Sequence, residues 1–180
     1  MGRAILLTGA PGVGKTTLIQ RVLARLTGPA GGFYTGELRE RGQRVGFRLV
    51  TLAGESVTLA HVEIAGRYRV GRYGVDLAAL DRVGVKAVRQ ATAAGHLVVV
   101  DEIGKMELFS AAFRAAVLEA VAGEAPVLGT VMLRPHPWVD MLKARPGVQV
   151  ITVTRENRDA LVEDVLARLG DRVSRLEVGS

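Results

Sequence analysis

The chain has 180 residues, nearly half of them apolar, a formal net charge of +6 and no cysteine. That length suits one domain with a real core, and no apolar run is long enough to span a bilayer. The missing cysteines exclude disulfides, thiolate nucleophiles and cysteine metal sites, and make a cytoplasmic location the default expectation. The charge is carried by 20 Arg and only 4 Lys, dispersed along the chain rather than gathered in one run. A polyanion-binding surface is one reading of that excess; a solvated, ion-paired surface is the other and the better supported. A single Asn (Asn157), four Gln and no Cys suggest avoidance of heat-labile residues.

Arg3 is the only charge before the first strand-like run, Ala4-Ile5-Leu6-Leu7, which is short and leads straight into a glycine-rich loop, so no signal peptide is expected. The next segment, Gly9-Ala10-Pro11-Gly12-Val13-Gly14-Lys15-Thr16, fits G-x-x-x-x-G-K-[ST] at every fixed position. Thr17 to Leu26 then supplies a helix with Leu18, Val22 and Leu26 on one face. Strand, glycine loop and helix in that order form a P-loop. Its backbone N–H groups nest polyphosphate at a helix N-terminus. Lys15 would reach the β- and γ-phosphates, and the Thr16 hydroxyl would ligate Mg²⁺. The bland alternative, a Gly-Pro turn between strand and helix, is the weaker reading because motif and context agree.

Gly28-Pro29-Ala30-Gly31-Gly32 reads as a loop. Phe33–Glu40 and Arg44–Leu52 flank Arg41-Gly42-Gln43 and read as a β-hairpin, with a third short strand at Val57–Ala60. Such close spacing requires antiparallel pairing. Ala65–Val75 reads as a loop carrying Arg67, Arg69 and Arg72. A helix is predicted from Asp76 to Ala94, although Gly84 inside it costs about 1 kcal/mol relative to Ala; Gly95 stops it. Leu97-Val98-Val99-Val100 is a central strand buried on both faces, ending in Asp101-Glu102. A helix follows near Ala111–Ala122, then a strand at Val127–Met132, a short helix at Val139–Ala144 and a strand at Val148–Val153. The last helix runs from Arg158 to Leu169, capped by Asn157 and closed by Gly170. The reading is a three-layer α/β fold, with a mostly parallel sheet extended by an antiparallel hairpin. Residues 1–170 form one domain, and 171–180 form a weakly ordered tail.

Ligands of such a sheet bind at the carboxyl ends of its strands. Asp101, at one such tip, would hold Mg²⁺ directly or through water, and Glu102 would orient or deprotonate the attacking water. An acidic strand end alone is a weak signal, because many such ends simply face solvent; beside a P-loop it becomes a site.

The run Asp101-Glu102-Ile103-Gly104-Lys105-Met106-Glu107-Leu108 is more distinctive. It occurs together with the Gly9–Leu18 loop, Gly32–Arg39 and Val70-Gly71-Arg72-Tyr73-Gly74-Val75. In that order they resemble the small P-loop nucleoside-triphosphatases, which include thermophilic nucleoside-triphosphatases and a human cancer-related one. The resemblance covers about residues 3–155. It implies slow, Mg²⁺-dependent hydrolysis of NTPs such as ATP and GTP to NDPs, with broad base tolerance. It also implies phosphate contacts along Gly9, Ala10, Pro11, Gly12, Val13, Gly14, Lys15, Thr16 and Thr17. It puts metal on Thr16 and Asp101 and the base at Glu102. The family's usual residue between Gly71 and Tyr73 is Lys; Arg72 keeps the charge and alters the geometry of a phosphate contact. Lys105 is a candidate second cation on the γ-phosphate, against the alternative of a surface lysine in a tight turn. Glu107 is read as structural or supporting.

Weaker candidates remain. Any arginine of the 65–75 loop could close over the phosphates, with Arg72 the best placed. Arg134 and Trp138 could contact nucleotide, although a Trp beside prolines more often packs. His61, His96 and His136 lack metal-ligand spacing. The competing functions are a nucleotide or nucleoside kinase, with the 65–75 loop as lid, and a nucleotide-controlled switch or RNA-associated factor. No guanine-specifying N-K-x-D tract supports a GTPase switch, and no nucleic-acid-binding motif is evident. A monomer acting on nucleoside triphosphates, away from membranes, is the expectation.

Overall fold

The apolar runs of the sequence join a single sheet. The computed structural model describes residues 4–170 and 173. Its strands are β1 (Ala4–Thr8), β2 (Ala30–Glu40), β3 (Gln43–Thr51), β4 (Ser56–His61), β5 (Arg69–Val70), β6 (Tyr73–Val75), β7 (Leu97–Ile103), β8 (Val127–Val131) and β9 (Val148–Thr152). Their spatial order is β5-β6-β4-β3-β2-β7-β8-β1-β9. The half from β2 to β9 is parallel, and the half from β2 to β5 is antiparallel. Strand β2 belongs to both, pairing parallel with β7 and antiparallel with β3.

The helices are α1 (Lys15–Leu23), α2 (Leu77–Ala79), α3 (Lys86–Ala94), α4 (Ala111–Ala122), α5 (Pro137–Lys143) and α6 (Leu161–Leu169). The continuous apolar runs explain the layering. Along β1, Leu6 faces one core while Ile5 and Leu7 face the other; along β7, Val98 and Val100 oppose Leu97 and Val99. This is the period-2 alternation of a strand covered on both faces. One core is closed by Val88, Phe113 and Val139 from α3, α4 and α5. The other is closed by Leu18 and Val22 from α1 and Val165 and Leu166 from α6.

Four expectations need correction. Ala30-Gly31-Gly32 is strand, not loop: it opens β2 and pairs with Leu97–Val99. A Cβ on Gly31 would lie 2.8 Å from Ala91 Cβ, and one on Gly32 would lie 1.9 Å from the Val99 carbonyl oxygen. These glycines mark close approach of backbones, which composition alone reads as a loop. The 65–75 segment is likewise not all loop, since it contains the β5–β6 hairpin and so widens the antiparallel wing.

The third correction concerns the helical stretch after Asp76. Asp76 does cap it, accepting from Ala79 N at 2.9 Å, but Leu80–Val85 is π-helical between α2 and α3. Gly84 sits in that segment, where a Cβ would meet Leu49 Cδ1 at 2.8 Å and Phe33 Cδ1 at 3.3 Å. Its helix-propensity cost is accepted for close packing on the sheet.

The fourth concerns the final helix. α6 begins at Leu161 with no side-chain cap. The Asn157 side chain turns back instead, accepting from Thr154 N at 2.8 Å and donating to Thr152 O at 2.9 Å. The tail expected over 171–180 lies, apart from Val173, outside the described residues.

Candidate active site

β1 delivers the chain at Thr8 to a loop whose Gly9, Gly12 and Gly14 have φ of 150°, 77° and 104°. L side chains rarely adopt such values, so the glycines permit the curl that a nest of N–H groups requires. α1 starts directly after it, and no side chain caps its first turn. Its first-turn N–H groups and positive dipole end face the loop, the standard arrangement for an anion. Lys15 Nζ folds back over the loop, donating to Gly9 O at 2.7 Å and Ala10 O at 3.3 Å. The ammonium thus sits across the mouth where phosphate would lie.

β7 runs two strands away from β1 and brings its acidic tip to the same place. Thr16 Oγ1 donates to Asp101 Oδ2 at 2.7 Å, and Thr130 Oγ1 donates to Asp101 Oδ1 at 2.6 Å. Asp101 is buried, and desolvation pushes its pKa up. The two hydroxyl bonds and the Lys15 charge oppose that rise. Glu102 is half-buried; burial raises its pKa, Lys15 opposes the rise, and Asp101 adds to it. A carboxylate made more basic than usual, and still reachable, suits proton abstraction.

The Thr16 hydroxyl and Asp101 carboxylate are hard oxygen donors in contact with one another. Mg²⁺ takes one or two protein oxygens and fills its octahedron with water and phosphate oxygens. The pair therefore fits that ion, whereas protein Zn²⁺ sites characteristically include His or Cys ligands. Among the described residues no cluster of three or more His, Cys, Asp or Glu gathers for a metal. His136 Nδ1 accepts from Trp138 N at 3.2 Å at the start of α5, and His61 Nδ1 accepts from Glu63 N at 3.1 Å. Trp138 packs against the core.

Past Glu102 the chain turns tightly. Glu107 is buried, and its carboxylate accepts from Gly104 N at 3.2 Å. Burial, with the nearby charge of Glu102, pushes its pKa up to about 8, so it is largely protonated at neutral pH. Lys105 is exposed and lies between two recesses. One holds about 240 Å³ and is shared with Glu102 and Glu107. The other holds about 340 Å³ and is shared with Arg69, Phe109 and His136.

The three arginines of the 65–75 segment are held by partners in the antiparallel wing and the segment leading into it. Arg72 donates to the Arg44 carbonyl and lies over the Tyr73 ring. Arg67 bonds Tyr68 OH at 2.7 Å. Arg69 bonds Ile64 O at 2.8 Å and Arg72 O at 2.7 Å, and it lines the recess beside Lys105.

Two site residues escaped the sequence reading. Thr130, at the end of β8, is a lone polar residue in a buried strand, a signal that could have been used. Arg158 donates from Nη1 to Val13 O at 3.2 Å and packs on Gly14. It lines a recess of about 210 Å³ with Thr17 and Arg21. Nothing in its surrounding sequence distinguishes it from the other dispersed arginines.

A family model described as NTPase matches residues 4–166. The chain belongs to the NTPase family. It is 46% identical over 162 residues to nucleoside-triphosphatase THEP1 of Thermotoga petrophila, covering 90% of each chain. It is 39% identical over 182 residues to the human cancer-related nucleoside-triphosphatase, covering 92% of this chain and 96% of that protein. The crystal structure of THEP1 from Aquifex aeolicus superimposes with a TM-score of 0.84 at 35% identity, over 93% of this chain and 99% of that one. These matches agree with the mixed sheet and flanking helices. The protein is accordingly an enzyme of the nucleoside-triphosphatase class. No helix among the described residues is long and apolar enough to cross a membrane.

Proposed function

We propose that this NTPase cleaves the β–γ phosphoanhydride of Mg²⁺-bound nucleoside triphosphates, ATP and GTP among them, with Glu102 as the base toward water. The carrying observation is the contact of Asp101, at the tip of β7, with Thr16 in the first turn of the P-loop helix, which sets Glu102 beside the loop. The triphosphate lies along Gly9–Thr17, with Lys15 exchanging its two carbonyl partners for phosphate oxygens. Thr16 and Asp101 would hold Mg²⁺, which when bound neutralises charge on the phosphates. Glu102 orients the water and takes its proton. Lys105 would act as a second cation toward the transferred group, since it is exposed and lines the recess that Glu102 shares. Arg72 would join the phosphates only by releasing the Arg44 carbonyl, so it has second place.

Several surroundings support the wider reading. All nine strands join one sheet, consistent with a single domain over 1–170. Arginines 21, 25, 39, 44, 89 and 168 are ion-paired, which favours a solvated surface over a nucleic-acid face. A monomer acting in the cytoplasm is part of the same proposal.

The test is phosphate release from a panel of NTPs and dNTPs with and without Mg²⁺, for the natural protein and Glu102→Ala. The variant should retain nucleotide binding and lose about 10²–10⁴-fold in turnover. Hydrolysis at the natural rate would refute the base assignment.

A further inference from the structure

A recess of about 490 Å³ lies at the end of the sheet away from the P-loop. Its floor is the start of β2, where Ala30 pairs with Leu97. Asp101 stands at the other end of β7, about 13 Å along the strand from Leu97 at about 3.3 Å per residue. One wall is α3, which contributes Ala87 and Ala91 inside and Lys86 at the rim. The opposite wall is the turn between β3 and β4, with Leu52 and Glu55. None of these residues belongs to the candidate active site.

The backbone gives this recess its character. Leu97 N donates to Pro29 O at 3.1 Å. Alternate residues of a strand turn their N–H and C=O groups to the same neighbour, so Pro29 and Gly31 face β7. Ala30 and Gly32 then face the β3 side. Gly32 is met there, its carbonyl accepting from Leu52 N at 3.0 Å. Ala30 is not. The pairing of β2 with β3 starts at Phe33 opposite Thr51, and past Leu52 the chain folds back, Thr51 N donating to Glu55 O at 2.8 Å. Among the described residues no strand answers the Ala30 N–H and C=O, which open into the recess in line with β3. An open strand edge is a template for pairing with another chain.

We propose that this recess binds the N-terminal residues of a peptide from another protein, laid antiparallel to β2 as a continuation of β3. The inference is independent of the nucleotide-cleaving reading. One peptide residue exchanges both main-chain hydrogen bonds with Ala30, the narrow pair of an antiparallel ladder. A chain that follows the line of β3 has its amino end against Leu52, so the peptide starts there. Its first residue lies opposite Gly31 and its second opposite Ala30. A side chain in line with Gly31 points at α3, since a Cβ built on Gly31 lies 2.8 Å from Ala91 Cβ. Glycine at that position and alanines at 87 and 91 leave room for the first side chain. Glu55 and Lys86 stand exposed on the two rims, and neither is ion-paired among the described residues. An acidic first residue complements both: its ammonium meets Glu55 and its carboxylate meets Lys86.

The experiment titrates the ¹⁵N-labelled full chain with the amidated peptide Glu-Val-Thr-Ser, its amino terminus free. Saturable amide shifts are expected at Ala30, Gly31, Gly32 and Glu55, with a dissociation constant of about 1 mM or tighter, and none at Gly12–Thr16. N-methylation of the peptide valine, which deletes the donor to the Ala30 carbonyl, should weaken binding about two- to tenfold. Acetylating the amino terminus, or replacing the first residue with glutamine, should each weaken it about two- to fivefold. Ala87→Leu, which fills the recess, should weaken it about tenfold or more. If that variant folds poorly, Lys86→Glu at the exposed rim reads the same site, and should bind the glutamine-first peptide at least as tightly as the glutamate-first one. Absence of saturable shifts at Ala30–Gly32 would overturn the proposal. Equal binding of the N-methylated peptide, or an unchanged preference in Lys86→Glu, would overturn it as well.

Discussion

Replacing Glu107 with Gln should flatten the pH dependence of stability. Glu107 is buried, with a pKa raised from 4.5 to about 8. Between those values the folded chain holds a proton that the unfolded chain has released. The stabilisation is fully present below the unfolded pKa and is lost as pH rises through the folded one. One bound proton corresponds to a slope of about 1.4 kcal/mol per pH unit. Asp101 and Glu102 also have raised pKa values and add slopes of the same sign. They remain in both proteins, so the difference between natural chain and variant isolates Glu107. Glutamine resembles the neutral acid in shape and can still accept from Gly104 N. The two proteins should therefore differ least in stability in acid, and the variant should gain on the natural chain steadily toward pH 8. Urea or guanidinium melts at several pH values between about 5 and 8 read this directly as two stability curves that lie closest in acid and diverge toward pH 8, with the variant the more stable. Parallel curves would refute the reasoning. They would mean that Glu107 is ionised throughout, and that burial does not govern its proton.

Lys15→Ala should weaken nucleotide binding and turnover together, because in the proposed mechanism the ammonium serves both ground state and transition state; titration with a non-hydrolysable analogue beside a rate assay checks both. Thr130→Val leaves Asp101 Oδ1 without its donor at 2.6 Å. A hydrogen bond to a buried charged group is worth about 1.5–3 kcal/mol, so denaturant midpoints should fall accordingly, and unchanged midpoints would contradict the pairing. Gly84→Ala sets two effects against each other. Helix propensity favours the alanine by about 1 kcal/mol, but its Cβ would sit 2.8 Å from Leu49 Cδ1. Overpacking costs about 1–3 kcal/mol, so the variant should be destabilised; a stabilised variant would show that the helix can move off the sheet.

The P-loop and the acidic tip of β7 were legible because each is local. Residues 9–16 specify their own backbone, and Leu97–Val100 is apolar on both faces. Thr130 and Arg158 were harder, since their roles exist only once β8 and the chain after β9 lie beside β1. The glycines misled for a related reason. Gly31 and Gly32 have the composition of a loop, but what demands them is the nearness of Ala91 and Val99, residues about 60 positions away in sequence.

The split sheet gives this division a functional sense. The proposed phosphate chemistry falls where the parallel strands end, and that half repeats a pattern which a motif can announce. The antiparallel wing has no such signature, because pairs such as Phe47 and Tyr73 meet through register rather than spacing. Yet the wing is placed by β2, which pairs with β7 as far as Asp101 and with β3 at the same residue, Tyr34. A change of register in β2 would move Thr35 and Phe47 relative to Glu102 while leaving the P-loop intact. Any selectivity that this protein has beyond the triphosphate should therefore be altered by substitutions in β2 to β5, with Lys15, Thr16 and Asp101 untouched.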